Sequence, residues 1–397
     1  MMKFFPPRLL SLRLRSLLKQ GLILLVVLLA GCAGGQNASS TPTAAPETQP
    51  SATSPAAIQP ETQPSATSQP AAGQPATLTV MTHDSFSASE AVVAQFEQDN
   101  NVKVNFLLSG DAGSALNRAV LSKGSPLADV FYGVDNTFLS RALESDLFEP
   151  YNSPLLAQVP AEFQLDSQQR VLPVNYGDVC INYDRAYFQE NNLAVPQSLA
   201  DLLKPEYEGL LVVENPATSS PGLAFLLATI AQYGEDGYLD YWRQLRENQV
   251  EVVNDWETAY YTNFSGSSGQ GPQPMVVSYG SSPAAEVYFA ETPPAEAPTA
   301  SIVGDNTCFR QIEFVGILLG TQQRALAEKF VDFMLSTPFQ EDMPLQMFVF
   351  PLNQEAQLPE VFVKNVQVPA QPASLDYETI AEKREAWIQA WDQTVLR

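Results

Sequence analysis

Apolar positions in this chain fall into short runs that alternate between a strand period and a helix period. Leu78 to Thr82 reads as a short strand. Residues 87–100 read as a helix with Val92, Val93 and Phe96 on one face. Val102 to Leu108 alternates apolar and polar side chains like a half-buried strand. A helix over 112–123 and a buried strand at Ala128 to Tyr132 follow. A β-α-β-α-β rhythm of this kind predicts an open α/β sheet. Ligands of such sheets bind beyond the carboxyl ends of the strands. The polar loops His83-Asp84-Ser85, Gly110-Asp111-Ala112 and Asp135-Asn136 follow the three strands and are expected on one rim.

The rhythm is then interrupted by a long extended run over residues 171–184. After it the alternation resumes. Pro196 to Leu203 reads as a helix capped by Ser198. Leu211 to Val213 is a strand, followed by a loop from Asn215 to Pro221 and an apolar helix from Gly222. Residues 235–247 form a further helix, and Glu251 to Val253 and Met275 to Tyr279 are strands. A second extended run, Phe309 to Leu319, leads into a helix at 322–335 with Ala327, Phe330, Val331 and Met334 on one face. The two extended runs are candidate crossings between two lobes. About 320 residues also exceed what a single core usually supports. The expected architecture is a two-lobed clamp with a cleft and a hinge. Its first lobe takes residues 77–175 and 310–397, and its second takes 176–309.

The N-terminus has a different pattern. Lys3, Arg8, Arg13, Arg15 and Lys19 precede the apolar stretch Gly21 to Ala30, and Leu-Ala-Gly-Cys occupies 29–32. That tetrapeptide looks like a bacterial lipobox, so residues 1–31 are expected to be a lipoprotein signal peptide. Cys32 would then carry the lipid. The apolar stretch is shorter than the about 20 residues a spanning helix needs, and acyl chains anchor without one. Residues 32–76 are rich in Ala, Pro, Ser, Thr and Gln, and Pro-Glu-Thr-Gln-Pro-Ser-Ala-Thr-Ser occurs at both 46–54 and 60–68. With no apolar period this stretch is expected to be a disordered, proline-extended tether. The protein is therefore expected outside the cytoplasmic membrane, lipid-anchored at the cell surface or in the periplasm.

Charge narrows the partners. The chain has 21 Lys+Arg against 44 Asp+Glu, a net charge of −23. Without the five basic residues of the signal the balance falls to −28. Nucleic acid is a poor partner for such a surface, whereas a cationic ligand is guided towards it. The same charge also serves solubility. Besides Cys32 there are two cysteines, Cys180 and Cys308, one in each crossing run. An exported domain favours their pairing, the alternative being two buried thiols. The single histidine, His83, makes a zinc site built on His and Cys improbable, and there is no Gly-x-Ser-x-Gly elbow for a hydrolase. No cofactor or metal is expected.

From Leu78 to Arg397 an ordered set of short segments resembles the thiamine-binding proteins of ABC import systems, which have the type II solute-binding fold. The segments are Thr82-His83-Asp84-Ser85-Phe86, Ser114 to Arg118, Ala128-Asp129-Val130 and Val134-Asp135-Asn136. Tyr176-Gly177, Pro216, Thr218 to Leu223, Asp255-Trp256 and Ala259-Tyr260 follow. Ser278-Tyr279, Ser282-Pro283, Phe350-Pro351, Ala386-Trp387-Ile388 and Trp391 complete the set. The resemblance implies a periplasmic-binding-protein type II clamp with its ligand between the lobes, acting as a monomer that delivers a thiamine-class molecule to ABC permease subunits. It also implies the ligand residues. Asp111 and Ala112 match the ligand loop after the second strand. Ser219 and Ser220 match a hydrogen-bonding pair in the other lobe, and Trp256 matches a stacking indole. Tyr279, Gly280, Ser281 and Ser282 match a second aromatic and its turn. His83 and Ala285 stand where the family often has tyrosines, and Phe348 where it often has a tryptophan.

Thiamine pairs a permanent thiazolium charge with a flat aminopyrimidine. Aromatic faces attract a desolvated cation by about 2 kcal/mol. A carboxylate such as Asp111 adds charge attraction and accepts from an amine. Other roles stay open for these residues. Trp256 and Tyr279 could be core aromatics, and Asp111, Ser219 and Ser220 could cap helices. A ferric-ion receptor of the same fold is the alternative, since Tyr260 and Tyr261 are adjacent. A secreted enzyme is a more distant third reading.

Overall fold

The computed structural model describes residues 75–397 apart from Gly269. The expected signal peptide, Cys32 and all but the last two residues of the tether lie outside the described residues.

Eleven strands form one continuous sheet. They are β1 (Ala76–Thr82), β2 (Val102–Leu108), β3 (Val130–Asp135), β4 (Phe148–Glu149), β5 (Val171–Asp184) and β6 (Leu211–Glu214), then β7 (Glu251–Val253), β8 (Met275–Tyr279), β9 (Thr299–Ile302), β10 (Phe309–Leu318) and β11 (Phe350–Pro351). The main path runs β2-β1-β3-β10-β5-β8-β6-β7. Two parallel blocks therefore flank the two long strands. In one block β2, β1 and β3 are parallel, and in the other β8, β6 and β7 are. β10 and β5 run antiparallel to each other and to the blocks they join. The lower part of β5 pairs with β10 and, at Asn175 and Tyr176, with β11; its upper part, from Val179 to Tyr183, pairs with β8, and β9 joins it from Ile181 to Asp184. Both extended runs of the sequence are thus crossing strands, and the molecule is a two-lobed α/β clamp.

The helices follow from capping and apolar spacing. α1 (Glu90–Asn100) opens at Ser89, whose side chain accepts from Val92 N–H. α2 (Ala112–Leu121) buries Ala115, Leu116 and Ala119 on the helical period. α3 (Ser220–Glu247) is two helices joined at Gly234, whose φ of 70° is left-handed. α4 (Ser282–Tyr288) follows β8, and α5 (Arg324–Leu335) buries Ala327, Phe330, Val331 and Met334 as the pattern predicts. α6 (Thr337–Gln346) leads to β11, and α7 (Tyr377–Val395) ends the chain. α7 packs against α3 through Trp391 and Trp242, 5.4 Å apart and edge to face, and lays Arg384 over Phe138, which follows β3. It therefore touches elements on both sides of the crossing strands.

Among the boundaries that differ from the sequence pattern, three have a local cause. β3 begins at Val130 rather than Ala128, because Asp129 is used as a clamp: its carboxylate accepts from Thr79 N–H and Thr321 Oγ1. The turn after Pro196 is a 3-10 helix, Leu199–Leu203, entered through a Ser198–Asp201 capping box. α3 begins at Ser220, with Pro221 in its first turn.

Candidate functional site

The ends of the parallel strands of the two blocks face each other across the crossing strands. On the first side, the loops after β1 and β2 are bonded together. Asp84 N–H donates to Gly110 O, and Gly110 N–H donates to Asp84 Oδ1 at 2.8 Å. Asn136, after β3, exchanges bonds with β10 at Ile312 and Arg310. The three loops thus share the rim that the sequence predicted. On the second side stand Glu214 at the end of β6, the loop 215–219, Asp255-Trp256 after β7, and Tyr279 at the end of β8.

The two sides touch directly. Asp111 accepts Ala112 N–H through Oδ1 at 2.6 Å, which caps α2, and Trp256 N–H through Oδ2 at 3.0 Å. Gly113 N–H donates to Thr218 O at 3.1 Å, and a Cβ at Gly113 would lie 2.8 Å from that oxygen. Only glycine permits this approach of α2 to the far loop. Asp111 therefore caps a helix and bridges the clamp with the same carboxylate.

Aromatic rings line the second side. The Trp256 indole stacks on Tyr260 at 5.0 Å and lies edge-on to Tyr279 at 6.5 Å. Its Nε1–H donates to Ser278 Oγ at 2.9 Å, and Ser278 Oγ is 3.0 Å from Ser282 Oγ. Trp256 and Tyr279 stay partly exposed, so neither is a closed core residue. Tyr279 O–H donates to Gln311 Oε1, and its ring lies over Gly177 of β5, where a Cβ would approach to 2.7 Å. Gly280 N–H donates to Asp178 O, and Ser281 O–H donates to Phe348 O. Phe348 has a φ of 54° and packs with Ala284, Phe350 and Phe362, with Ala285 partly buried beside them. Phe289, at the end of α4, lies 5.5 Å from it. Ala112 is buried at the start of α2. Ser219 takes the cap position of α3 without a side-chain cap bond, and Ser220 is the helix's buried first residue.

Carboxyl groups gather beneath these rings, and most of them escaped the sequence reading. Glu313 of β10 lies 3.2 Å from His83 Nε2 and accepts from Tyr132 O–H at 2.7 Å. Burial lowers the His83 pKa, but Glu313, with Asp111 and Asp84, outweighs it and the pKa is raised. Burial pushes Glu313 up, but His83, Tyr132 and Asn175 bring it below the usual carboxylate range. Desolvation raises Asp111 against the pull of Ser219 and its two backbone donors. Burial raises Asp135 to about 6 against its bonds to Thr137. Burial, reinforced by Asp111 and Asp255, raises Glu214 well above the usual range. The sequence marks Glu214 and Glu313 only as the single carboxyl of their strands. Glu214 ends an apolar run and Glu313 stands in a run that also holds Arg310 and Gln311, which does not tell a site residue from a solvated one.

Buried polar atoms without a hydrogen-bond partner collect in the same place. Among the described residues, Thr82 Oγ1, Asp135 Oδ2, Asn175 Oδ1, both Glu214 oxygens and Gln311 Nε2 are in this state. Native interiors leave few polar groups unpaired, so such a concentration marks a surface shaped for a polar ligand. Behind the site, Cys180 and Cys308 form a disulfide, with Cα atoms 4.3 Å apart across β5 and β10.

The comparisons agree with this geometry. Residues 125–381 match the family model for bacterial extracellular solute-binding proteins. The thiamine-binding periplasmic protein of Salmonella typhimurium is 31% identical over 333 residues, 83% of this chain and 96% of that one. Its Escherichia coli counterpart is 30% identical over 325 residues, covering 81% and 94%. A solved periplasmic thiamin-binding protein superposes with a TM-score of 0.72 at 28% identity, covering 82% of this chain and 98% of that one. A ferric-binding protein from Campylobacter jejuni shares the fold, with a TM-score of 0.65 at 19% identity. The crossing strands, the facing strand ends and these matches together place the chain in the bacterial extracellular solute-binding protein family, alongside the thiamine-binding periplasmic proteins.

Proposed function

We propose that this protein captures thiamine, or its phosphate esters, outside the cytoplasmic membrane and hands it to an ABC importer. One observation carries the reading: partly exposed aromatic faces, Trp256 and Tyr279, stand over a group of carboxyls where two lobes meet. A flat organic cation suits both the π faces and the negative field. The ligand set is Asp111, Ala112, Ser219, Ser220, Trp256 and the turn from Tyr279 to Ser282, with His83 and Phe348 at its edges. The lobes are 77–175 with 310–397, and 176–309. The protein acts as a binding protein rather than an enzyme, as a monomer held to the membrane by lipid on Cys32 and served by permease subunits.

The relatives' names support the ligand. The ferric alternative is less well served. One of its two tyrosines, Tyr260, lies buried beneath Trp256 and donates its hydroxyl to Glu286 Oε1 at 2.9 Å. Calorimetry tests the reading, and micromolar or tighter thiamine binding is expected. No heat and no thermal stabilisation at about 1 mM thiamine would sink it, since ligand well above its Kd must stabilise the folded state. A ferric titration that raises a tyrosinate charge-transfer band would favour the alternative.

A further inference from the structure

Glu214 has no counterpart in the ligand set above. It ends β6, whose parallel pairing with β8 puts Val212 beside Val276 and carries forward to Glu214 beside Ser278. Strand alternation keeps Glu214 on the face of Val212, the face that packs against Tyr260 and, more loosely, Trp256. Ser278 on that same row accepts the Trp256 indole N–H. The carboxyl therefore lies on the strand face that carries the aromatic wall. Its residue is fully buried, and neither oxygen has a hydrogen-bond partner in another residue; only its own backbone N–H acts on it. Nor does a cation face it: the charged groups acting on it are the carboxyls of Asp111 and Asp255.

A buried orphan carboxyl costs stability and contributes nothing to packing that a leucine would not. Its neighbours in this row are Val253 on β7 and Ser278 on β8, and the Ser278 hydroxyl is already engaged by Trp256 and Ser282, so the fold itself gives no reason for an acid there. A ligand gives one. Resting on the thiamine reading, we propose that Glu214 is a ligand-binding residue that recognises the amine-bearing edge of the heteroaromatic ring. A carboxylic acid can donate to a ring nitrogen while its carbonyl accepts from the neighbouring amine, a two-point fit to an aminopyrimidine. Its protonated form is favoured by burial and by the two acidic neighbours, which suits the donor half of that pair. Replacing the amine by hydrogen removes the donor that the carbonyl accepts and leaves half of the pair.

The test uses the full-length chain and its E214Q and E214L variants, titrated calorimetrically with thiamine and with its 4-desamino analogue. Wild type is expected to bind thiamine at least about tenfold more tightly than the desamino analogue, in line with one lost buried hydrogen bond. E214L should raise the ligand-free melting temperature, weaken thiamine at least about tenfold and lose the discrimination. E214Q supplies the same donor and acceptor as the neutral acid and should bind thiamine close to wild type, which guards against a folding defect in E214L. Unchanged thiamine affinity in both variants overturns the assignment, and so does an equal loss for both ligands. Failure of wild type to bind thiamine at all refutes the parent reading instead.

Discussion

Asp111→Asn separates two jobs that one carboxylate performs. Oδ1 caps α2 through Ala112 N–H, and Oδ2 bridges the cleft to Trp256 N–H. Asparagine caps helices about as well as aspartate, so the first job survives. The second does not: an amide N–H₂ would face the Trp256 N–H, donor against donor. A hydrogen bond to a charged group contributes about 1.5–3 kcal/mol, which corresponds to about 10- to 100-fold in affinity if the bridge belongs to the ligand-bound clamp. Removing the carboxylate also removes negative charge facing a cation, in the same direction. The ligand-free protein should hold its melting temperature or gain slightly, because a desolvated carboxylate is no longer formed. Calorimetry for affinity and differential scanning fluorimetry for stability read the two jobs separately. Intact affinity with a lowered melting temperature would refute the reasoning and leave Asp111 a helix cap only.

Trp256→Ala should mainly raise the thiamine off-rate in stopped-flow fluorescence, while rising salt lowers the on-rate by screening the acidic surface. Cation affinity should rise with pH between about 5 and 7: the pKa values of His83, Asp111 and Asp135 are all raised, and an approaching cation expels protons from each. Calorimetry in buffers of different ionisation heat would expose the released protons, and a flat pH profile would contradict the site. For the ligand-free protein the Asp135 contribution has the opposite sense, because its folded pKa of about 6 exceeds the unfolded 3.8; its stabilisation is complete below about pH 4 and is lost as pH rises through about 6, so Asp135→Asn should flatten that part of the melting profile. Cutting the Cys180–Cys308 bond by a double alanine substitution should cost up to about 5 kcal/mol by denaturant unfolding, given a sequence separation of 128 residues.

The sequence showed those parts of the fold in which neighbours along the chain are also neighbours in space. β2, β5, β7 and β8 fall where their apolar periods lie, and the kink at Gly234 falls between the two helices read on either side of it. Asp111 stood out as part of the polar loop after the second strand, whereas Trp256 and Tyr279 were named only through the family resemblance, since a lone aromatic near a strand end carries no local signature of a site. Glu214 and Glu313 were not legible. A single acid in a strand run looks like a strand terminus, and only the register of β6 on β8, or of His83 against β10, shows what surrounds it. The dual bonding of Asp111 was hidden for the same reason, since its second partner comes from the far lobe.

The disulfide has a topological consequence. Joining Cys180 to Cys308 closes a covalent ring through every residue between them, which includes β6 to β9 with α3 and α4. A protease that cuts once anywhere inside that ring opens it without releasing a fragment. The two pieces remain one molecule until the bond is reduced, so nicked protein should migrate as a single band on a denaturing gel and split into two only with reductant. The same ring offers a route to permutation. New termini could be opened within it while the crossing strands stay stapled at its neck.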